Sequence, residues 1–442
     1  MGTVDKINQV EKGFDLSQAI AEANRCLLCY DPPCSSGCPA NTDPGLFIRK
    51  LRMKNVTGAI RTIMTNNPLG GTCAYICPTC DLCEQKCSAT DLDRPIQIGK
   101  IQRFLIEHSH DIGFDIFEKS DFTKGKIAVI GSGPSGLSCA AELAQNGFEV
   151  TIFEEKEEPG GALRYALPGY RLKKEMLDYE IEVIKNLGVE IKCSTPIKEK
   201  EEVTELLNKG YKAVFIGLGL WEPEKLNEAS EEIDGLYSSI EFLKQARSEK
   251  TPQVQNKNVV VIGGGDVAMD CAETAIKLGA KDVYVAYRRS FNQMPGSADE
   301  RMNTLNSGAH FLILNQAKDY IKNEKGNLSA VKLIRTKLGE TDSSGRARPV
   351  EIENSEWLLS ADIVIEAIGV KAAKSSPQWY SKLNMSKKNN IIVDPETMET
   401  SMKNIFAGGD IVRGASLVSW AVKDGKLAAN RIIRHLSRKD EE

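Results

Sequence analysis

Apolar residues recur at helical spacing through roughly the first 120 positions and at strand spacing only beyond them. Leu16, Ile20, Ala23 and Leu27 predict a helix over Leu16–Cys29, with Asp15 as its cap. Asp43-Pro44 opens a second helix through Leu51, proline occupying a first-turn position. Val56–Met64 predicts a third through Ile60, Ile63 and Met64, and Pro95–Glu107 a fourth. No strand pattern of any length precedes Lys126. Then Lys126–Ile130 (KIAVI), a glycine loop, the helix Leu137–Asn146 and Glu149–Phe153 (EVTIF) form a βαβ unit. A second copy follows in Asn258–Ile262 (NVVVI), another glycine loop, the helix Met269–Leu278 and Asp282–Tyr287 (DVYVAY). Val214–Gly219 and Ile363–Gly369 are matching buried strands that end in glycine. Ser248–Lys257 is polar and predicts a linker, and Ile405–Asp410 is a strand leading to the small-residue helix Gly414–Asn430.

Composition narrows the chemistry. The 442 residues are too many for one core, and 41% hydrophobic with 27% charged residues is an ordinary globular balance. A net charge of −4 gives no reason to expect nucleic acid or an anionic membrane as partner. Met1–Phe14 lacks an apolar signal core, and no apolar run is long enough to span a bilayer, so a cytoplasmic location is expected. Histidine occurs only at positions 108, 110, 310 and 435, without H-x3-H or HExxH spacing, and no GxSxG element is present. Hydrolytic zinc and serine chemistry are disfavoured, and redox chemistry remains.

Nine of the twelve cysteines lie between Cys26 and Cys87. The first run is Cys26, Cys29, Cys34 and Cys38; the second is Cys73, Cys77, Cys80, Cys83 and Cys87. In a reducing compartment such thiols are metal ligands, and two [4Fe–4S] clusters need eight. By spacing alone Cys77, Cys80, Cys83 and Cys87 form a ferredoxin-type run, with Ser88 in place of the usual proline. Cys139, Cys193 and Cys271 fall in helix or strand patterns and are expected in the core.

The glycine loops have a stated purpose. Their glycines permit the tight turn, the close approach of amides to a pyrophosphate and the packing of helix on strand. Gly131, Ser132, Gly133, Pro134 and Ser135 begin the first loop. Its unit ends at Glu154, where an acid accepts from a ribose with a free 2′-hydroxyl, as FAD and NAD offer. Gly263, Gly264, Gly265, Asp266 and Val267 form the second, whose unit ends in Arg288-Arg289. Two guanidinium groups suit a 2′-phosphate and favour NADP(H), with NAD(H) left open. Gly409, Asp410 and Ser416 could close the first site from the C-terminal segment.

The paired loops GSGPSG and GGGDVA, with YRR-x4-MPG at Tyr287–Gly296 and AGGD at Ala407–Asp410, resemble the glutamate-synthase small-subunit type of flavoprotein. Within it, CLLCYDPPCSSGCPANTDPGLFIRKL (Cys26–Leu51), NPLGGTCAYICPTCDLCEQKC (Asn67–Cys87) and PIQIGKIQRF (Pro95–Phe104) resemble the flavin subunit of the bacterial dihydropyrimidine dehydrogenase. The resemblance covers about residues 20–435. It implies an α/β fold with two Rossmann-like domains, for FAD and NAD(P), preceded by an all-α iron–sulfur domain. Boundaries are expected at 1–122 for the helical domain, 123–224 with 371–442 for FAD, and 225–370 for NAD(P). It implies one cluster on Cys26, Cys29, Cys34 and Cys87, and another on Cys38, Cys77, Cys83 and Gln102. Cys73 and Cys80 are then non-ligands. It assigns Gly131, Gly133, Glu154, Gly161, Arg171 and Asp410 to flavin, and Gly264, Gly265, Asp266, Val267, Arg288 and Arg289 to the nicotinamide dinucleotide.

The function so implied is electron input from NAD(P)H through FAD and two [4Fe–4S] clusters, with no acid or base side chain required. The last helix is expected to end near Leu436, and no third domain for pyrimidine or FMN is expected. The resemblance therefore implies a hetero-oligomer, with uracil or thymine reduced on an electron-accepting catalytic subunit of FMN/iron–sulfur type. The small subunit of glutamate synthase is the alternative, and a zinc-stapled dinucleotide sensor a second one.

Overall fold

The computed structural model describes residues 12–114, 116–117, 121–197, 200–227, 233–248, 251–342, 345–373 and 383–439. The N-terminal segment is helical. Asp15 caps Leu16–Asn24 through a reciprocal pair with Gln18, and Asp43 caps Pro44–Arg52 by accepting from the Leu46 N–H. Val56–Asn66 and Ile98–Asp111 complete the expected helices, and Phe47, Ile48, Leu51, Ile60, Ile63, Ile101 and Leu105 are buried. The first helix stops at Asn24 rather than reaching Cys29. Arg25 caps it, and Leu28 turns into the left-handed region at φ 56°. A straight helix would carry Cys26 and Cys29 on one face, whereas this turn wraps them around a space. Gly70–Ile76 is a helix that its Gly-Gly start conceals in the sequence.

Two parallel five-stranded sheets follow. The first has the order Ile405–Ala407, Tyr211–Ile216, Lys126–Ile130, Glu149–Phe153, Glu190–Lys192. The second has the order Leu236–Ser238, Ile363–Glu366, Asn258–Ile262, Asp282–Tyr287, His310–Ile313. In each, the strand before the glycine loop sits inside the sheet and is buried on both faces, as its unbroken apolar run requires. The loop helices are Pro134–Gln145 and Asp266–Lys277, each starting three residues earlier than the sequence pattern suggests because the loop glycine itself is the cap. An antiparallel meander, Asn315–Lys322, Leu328–Thr341 and Ala347–Ser360, was not foreseen.

The long C-terminal helix, Val418–Lys439, packs on Pro134–Gln145. Its small residues permit this: a side chain at Gly425 would overlap the Ser135 carbonyl and the Ser138 hydroxyl, which donates to Val422 O at 3.2 Å. Among the described residues two compact units result. Residues 171–221 and 371–439 join the helical segment and the first glycine loop in one; residues 165–170 and 222–370 form the other. No helix among the described residues is long and apolar enough to cross a membrane.

Candidate iron–sulfur and dinucleotide sites

Cys26, Cys29, Cys34 and Cys87 line one cavity, bordered by Leu27, Leu28 and Ile98. Three come from the first cysteine run and the fourth from the end of the second. Pro33 begins the short helix that carries buried Cys34, while Arg52 and Arg49 hold the loop by donating to Cys26 O at 2.8 Å and Cys29 O at 3.2 Å. Burial pushes the Cys34 thiol up to about 12, with Cys87 and Cys26 acting in the same direction. Burial also raises Cys26, and Cys87 and Cys29 add to it. Four thiols around one space form a donor set suited to a cationic core. They surround a space: among the described residues no three His, Cys, Asp or Glu form a group that could hold a single metal ion.

Of the remaining expected ligands, Cys83 and Gln102 are buried and Cys38 and Cys77 are half-buried. Burial raises the Cys83 thiol, followed by the charges of Glu84, Cys38 and Cys34. Cys38 Sγ accepts from the Thr42 N–H at 3.5 Å. Asn67 Nδ2 donates to Thr42 Oγ1 at 3.1 Å and to Cys73 Sγ at 3.3 Å. Cys73 is raised first by its hydrogen bond with Cys77 and then by burial. Gln102, buried on Ile98–Asp111, donates from Nε2 to Gly70 O at 2.6 Å. Among the described residues no hydrogen bond to its Oε1, the atom expected to meet a metal, is found. Cys80 lies half-exposed on the single turn Thr79–Asp81. Cys139 and Cys271 are fully buried in core helices, as expected, and Cys193 is half-buried after Glu190–Lys192.

The first glycine loop gathers most of the residues expected at the flavin. Gly131 has φ +93°, and a Cβ there would lie 2.6 Å from Gly217 O. Glu154 is buried, and its Oε2 accepts from Ser132 N at 2.8 Å and Ser132 Oγ at 2.5 Å. Gly160 N donates to the same hydroxyl at 3.1 Å, bringing Gly161 against Gly133. Gly409 abuts Ser135, and Ser416 Oγ donates to Asp410 Oδ1 at 2.7 Å. Burial pushes the Asp410 carboxyl up to about 6. At Gly133 a Cβ would meet nothing within 4 Å, so space lies open in front of the N-terminus of the helix whose first residue is Pro134. Arg171 is half-buried in the same unit. No motif marks Asp424, yet its buried carboxylate accepts from Gly409 N at 3.1 Å and from both Nε and Nη2 of Arg413.

The second loop is built alike. Asp266 begins its helix and accepts from Ser297 N at 2.8 Å, while Gly296 N donates to Gly264 O at 2.9 Å. The Met-Pro-Gly turn is thus clamped to the loop. Gly263 follows Ile262 directly, Gly265 caps the helix, and Val267 is exposed beside it. The two arginines separate. Arg288 is exposed, whereas Arg289 is buried, donating to Ala347 O at 2.8 Å and Asp342 at 3.0 Å.

Residues 125–425 match the family described as pyridine nucleotide-disulphide oxidoreductase. Residues 3–113 match the dihydropyrimidine dehydrogenase domain II, 4Fe–4S cluster. The chain is 34% identical to the glutamate synthase [NADPH] small chain of Escherichia coli, covering 98% of this chain and 95% of that one. It is also 34% identical to the NAD-dependent dihydropyrimidine dehydrogenase subunit PreT homolog of Salmonella typhi, covering 97% of each. The Mycobacterium tuberculosis FprA structure with NADPH shares the fold at a TM-score of 0.61 and 19% identity, over 72% of this chain and 85% of that one. The chain therefore belongs to the pyridine nucleotide-disulphide oxidoreductases, as an FAD-, NAD(P)H- and 4Fe–4S-dependent oxidoreductase of the type represented by glutamate synthase small chains and PreT subunits.

Proposed function

We propose that this chain is the electron-input subunit of a hetero-oligomeric dihydropyrimidine dehydrogenase, serving a catalytic partner of FMN/iron–sulfur type that reduces uracil or thymine. The observation that carries the reading is the ring of Cys26, Cys29, Cys34 and Cys87, which draws both cysteine runs around one space in the same compact unit as the first glycine loop. Bound in this fold, FAD would supply the exchange between the two-electron chemistry of NAD(P)H and the one-electron chemistry of iron–sulfur clusters.

The chain's own residues bind and orient. Gly131, Ser132, Gly133, Pro134 and Ser135 present backbone to the FAD pyrophosphate, Glu154 holds the ribose, and Gly161, Arg171, Gly409, Asp410 and Ser416 close the site. Gly263, Gly264, Gly265, Asp266 and Val267 cradle the nicotinamide dinucleotide, and Arg288 favours the 2′-phosphate of NADP(H). Arg289 supports that corner from beneath. One cluster belongs to Cys26, Cys29, Cys34 and Cys87, the other to Cys38, Cys77, Cys83 and Gln102.

Glutamate synthase is the second reading, favoured by the equal identity to its small chain. The match of residues 3–113 and the Asn41–Pro44 stretch favour pyrimidine. The pure chain is expected to oxidise NAD(P)H with an artificial acceptor and to leave uracil unreduced. Uracil reduction by the chain alone overturns the division of labour. Isolation of the native complex identifies the companion: a large amidotransferase there would replace the pyrimidine reading with the glutamate one.

A further inference from the structure

Glu180 is a buried acid that no expected function uses. It lies on the helix Lys174–Asn186 of the flavin fold, is 2% exposed, and has no ion-pair partner among the described residues. Its Oε1 accepts from Gly71 N at 2.5 Å, and its Oε2 accepts from Thr72 N at 3.0 Å and Thr72 Oγ1 at 2.6 Å. The approach depends on glycine: a Cβ at Gly71 would lie 2.7 Å from Met176 Sδ and 2.9 Å from Ile106 Cγ2.

The Gly71 N–H and the Gly70 carbonyl are two ends of one peptide group. On the far side of that peptide, Gln102 Nε2 donates to Gly70 O at 2.6 Å. The three groups form a single buried hydrogen-bonded line: carboxylate, peptide, side-chain amide. A negative charge on the N–H side of a peptide increases the electron density on its carbonyl, and in a low-dielectric interior such bonds strengthen one another. The Gln102 amide responds by placing more negative charge on Oε1, the atom left for the metal. Docking alone does not account for an acid here. A neutral side chain of similar size would seat the helix without burying an uncompensated carboxylate.

We propose that Glu180 is a positioning residue for the Gln102-held cluster, orienting that ligand and raising its basicity through the Gly70–Gly71 peptide. Partners of a ligand beyond the metal commonly fix its orientation and donor strength in this way. The inference rests on the reading of Gln102 as a ligand, and the test separates the two.

Holoprotein variants at about pH 8.5, above the raised range of about 7 where the carboxyl is ionised, decide it by iron and FAD content, the electron paramagnetic resonance spectrum of the reduced clusters and their midpoint potentials. In E180Q, iron and FAD are expected to remain, one of the two cluster signals to change and its potential to move positive, and the other cluster to stay as in the wild type. In T72V the carboxylate loses its hydroxyl donor and leans more on the peptides, so the same signal is expected to move negative. Opposite signs at one cluster are not what a merely structural contact produces. Unchanged spectra and potentials in iron-loaded E180Q overturn the proposal; where E180Q does not load iron, an unmoved potential in T72V does so. Q102A is the independent check. Full iron and two wild-type signals in Q102A would remove Gln102 as a ligand, whereas loss of one signal there with silence in E180Q would remove Glu180 alone.

Discussion

Arg288 and Arg289 are neighbours in the chain and have unlike surroundings. The period of the strand Asp282–Tyr287 continues through them, so one faces solvent and the other faces the meander. The sequence offered two equivalent cations; only the fold assigned Arg289 to Asp342 and Ala347 O. Arg288→Ala is expected to raise the KM for NADPH by about tenfold, the worth of one charged hydrogen bond, and to alter that for NADH less. Arg289→Ala is expected to lower stability by about 1–3 kcal/mol, because Asp342 loses a charged partner and Ala347 O loses its donor. Steady-state kinetics with both dinucleotides and thermal melts separate the two, and equal kinetic effects would refute the assignment. Cys80 is a similar case. Its spacing fits a ferredoxin run, but Cys87 lies with Cys26, Cys29 and Cys34 around the cavity. Cys80→Ser is expected to retain full iron, while Cys77→Ser loses about half, as one cluster of two; half-loss in Cys80→Ser would restore the ferredoxin-type run.

Among elements, those with strong local signals were legible in the chain. Lys126–Ile130, Glu149–Phe153, Asn258–Ile262 and Asp282–Tyr287 have the bounds that their apolar runs predict. The meander was hidden because its register shifts break the alternation and most of Ala347–Ser360 is exposed. Contacts between elements were hidden too, and Glu180 is the clearest. Burial pushes its carboxyl from an ordinary 4.5 up to about 7, against the lowering effect of its hydrogen bonds from Thr72 and Gly71. The folded form therefore holds the proton more tightly than the unfolded chain. Its contribution is intact below about pH 4.5 and is lost as pH rises towards 7. At 1.36 kcal/mol per pH unit the loss approaches about 3 kcal/mol. Asp410, raised to about 6 by burial, acts in the same direction at lower pH. The melting temperature is expected to fall between about pH 4.5 and 7, with a shallower slope in Glu180→Gln. Parallel slopes would show that the carboxyl titrates normally.

For the whole molecule, the iron–sulfur segment is anchored to the flavin fold by polar contacts as well as apolar ones. Lys426, on the C-terminal helix, donates to Ala40 O at 3.1 Å and to Asn66 O, and burial holds its ammonium below the usual lysine range. Lys426→Ala is expected to leave two inner carbonyls unsatisfied, lowering stability by about 2–3 kcal/mol. Iron should then be lost in urea before FAD; a melt and iron release like those of the wild type would argue against an anchoring role. The sequence by itself determined what is local: strand and helix periods, glycine loops that need little more than backbone geometry, and enough thiols for two clusters. Tertiary structure decided what depends on approach across long separations. It closed the ring of Cys87 on Cys26, Cys29 and Cys34, turned one arginine outward and its neighbour inward, and set Glu180 and Gln102 on opposite sides of one peptide. Spacing along a chain fixes which side chains share an element's face, and only packing fixes which faces meet.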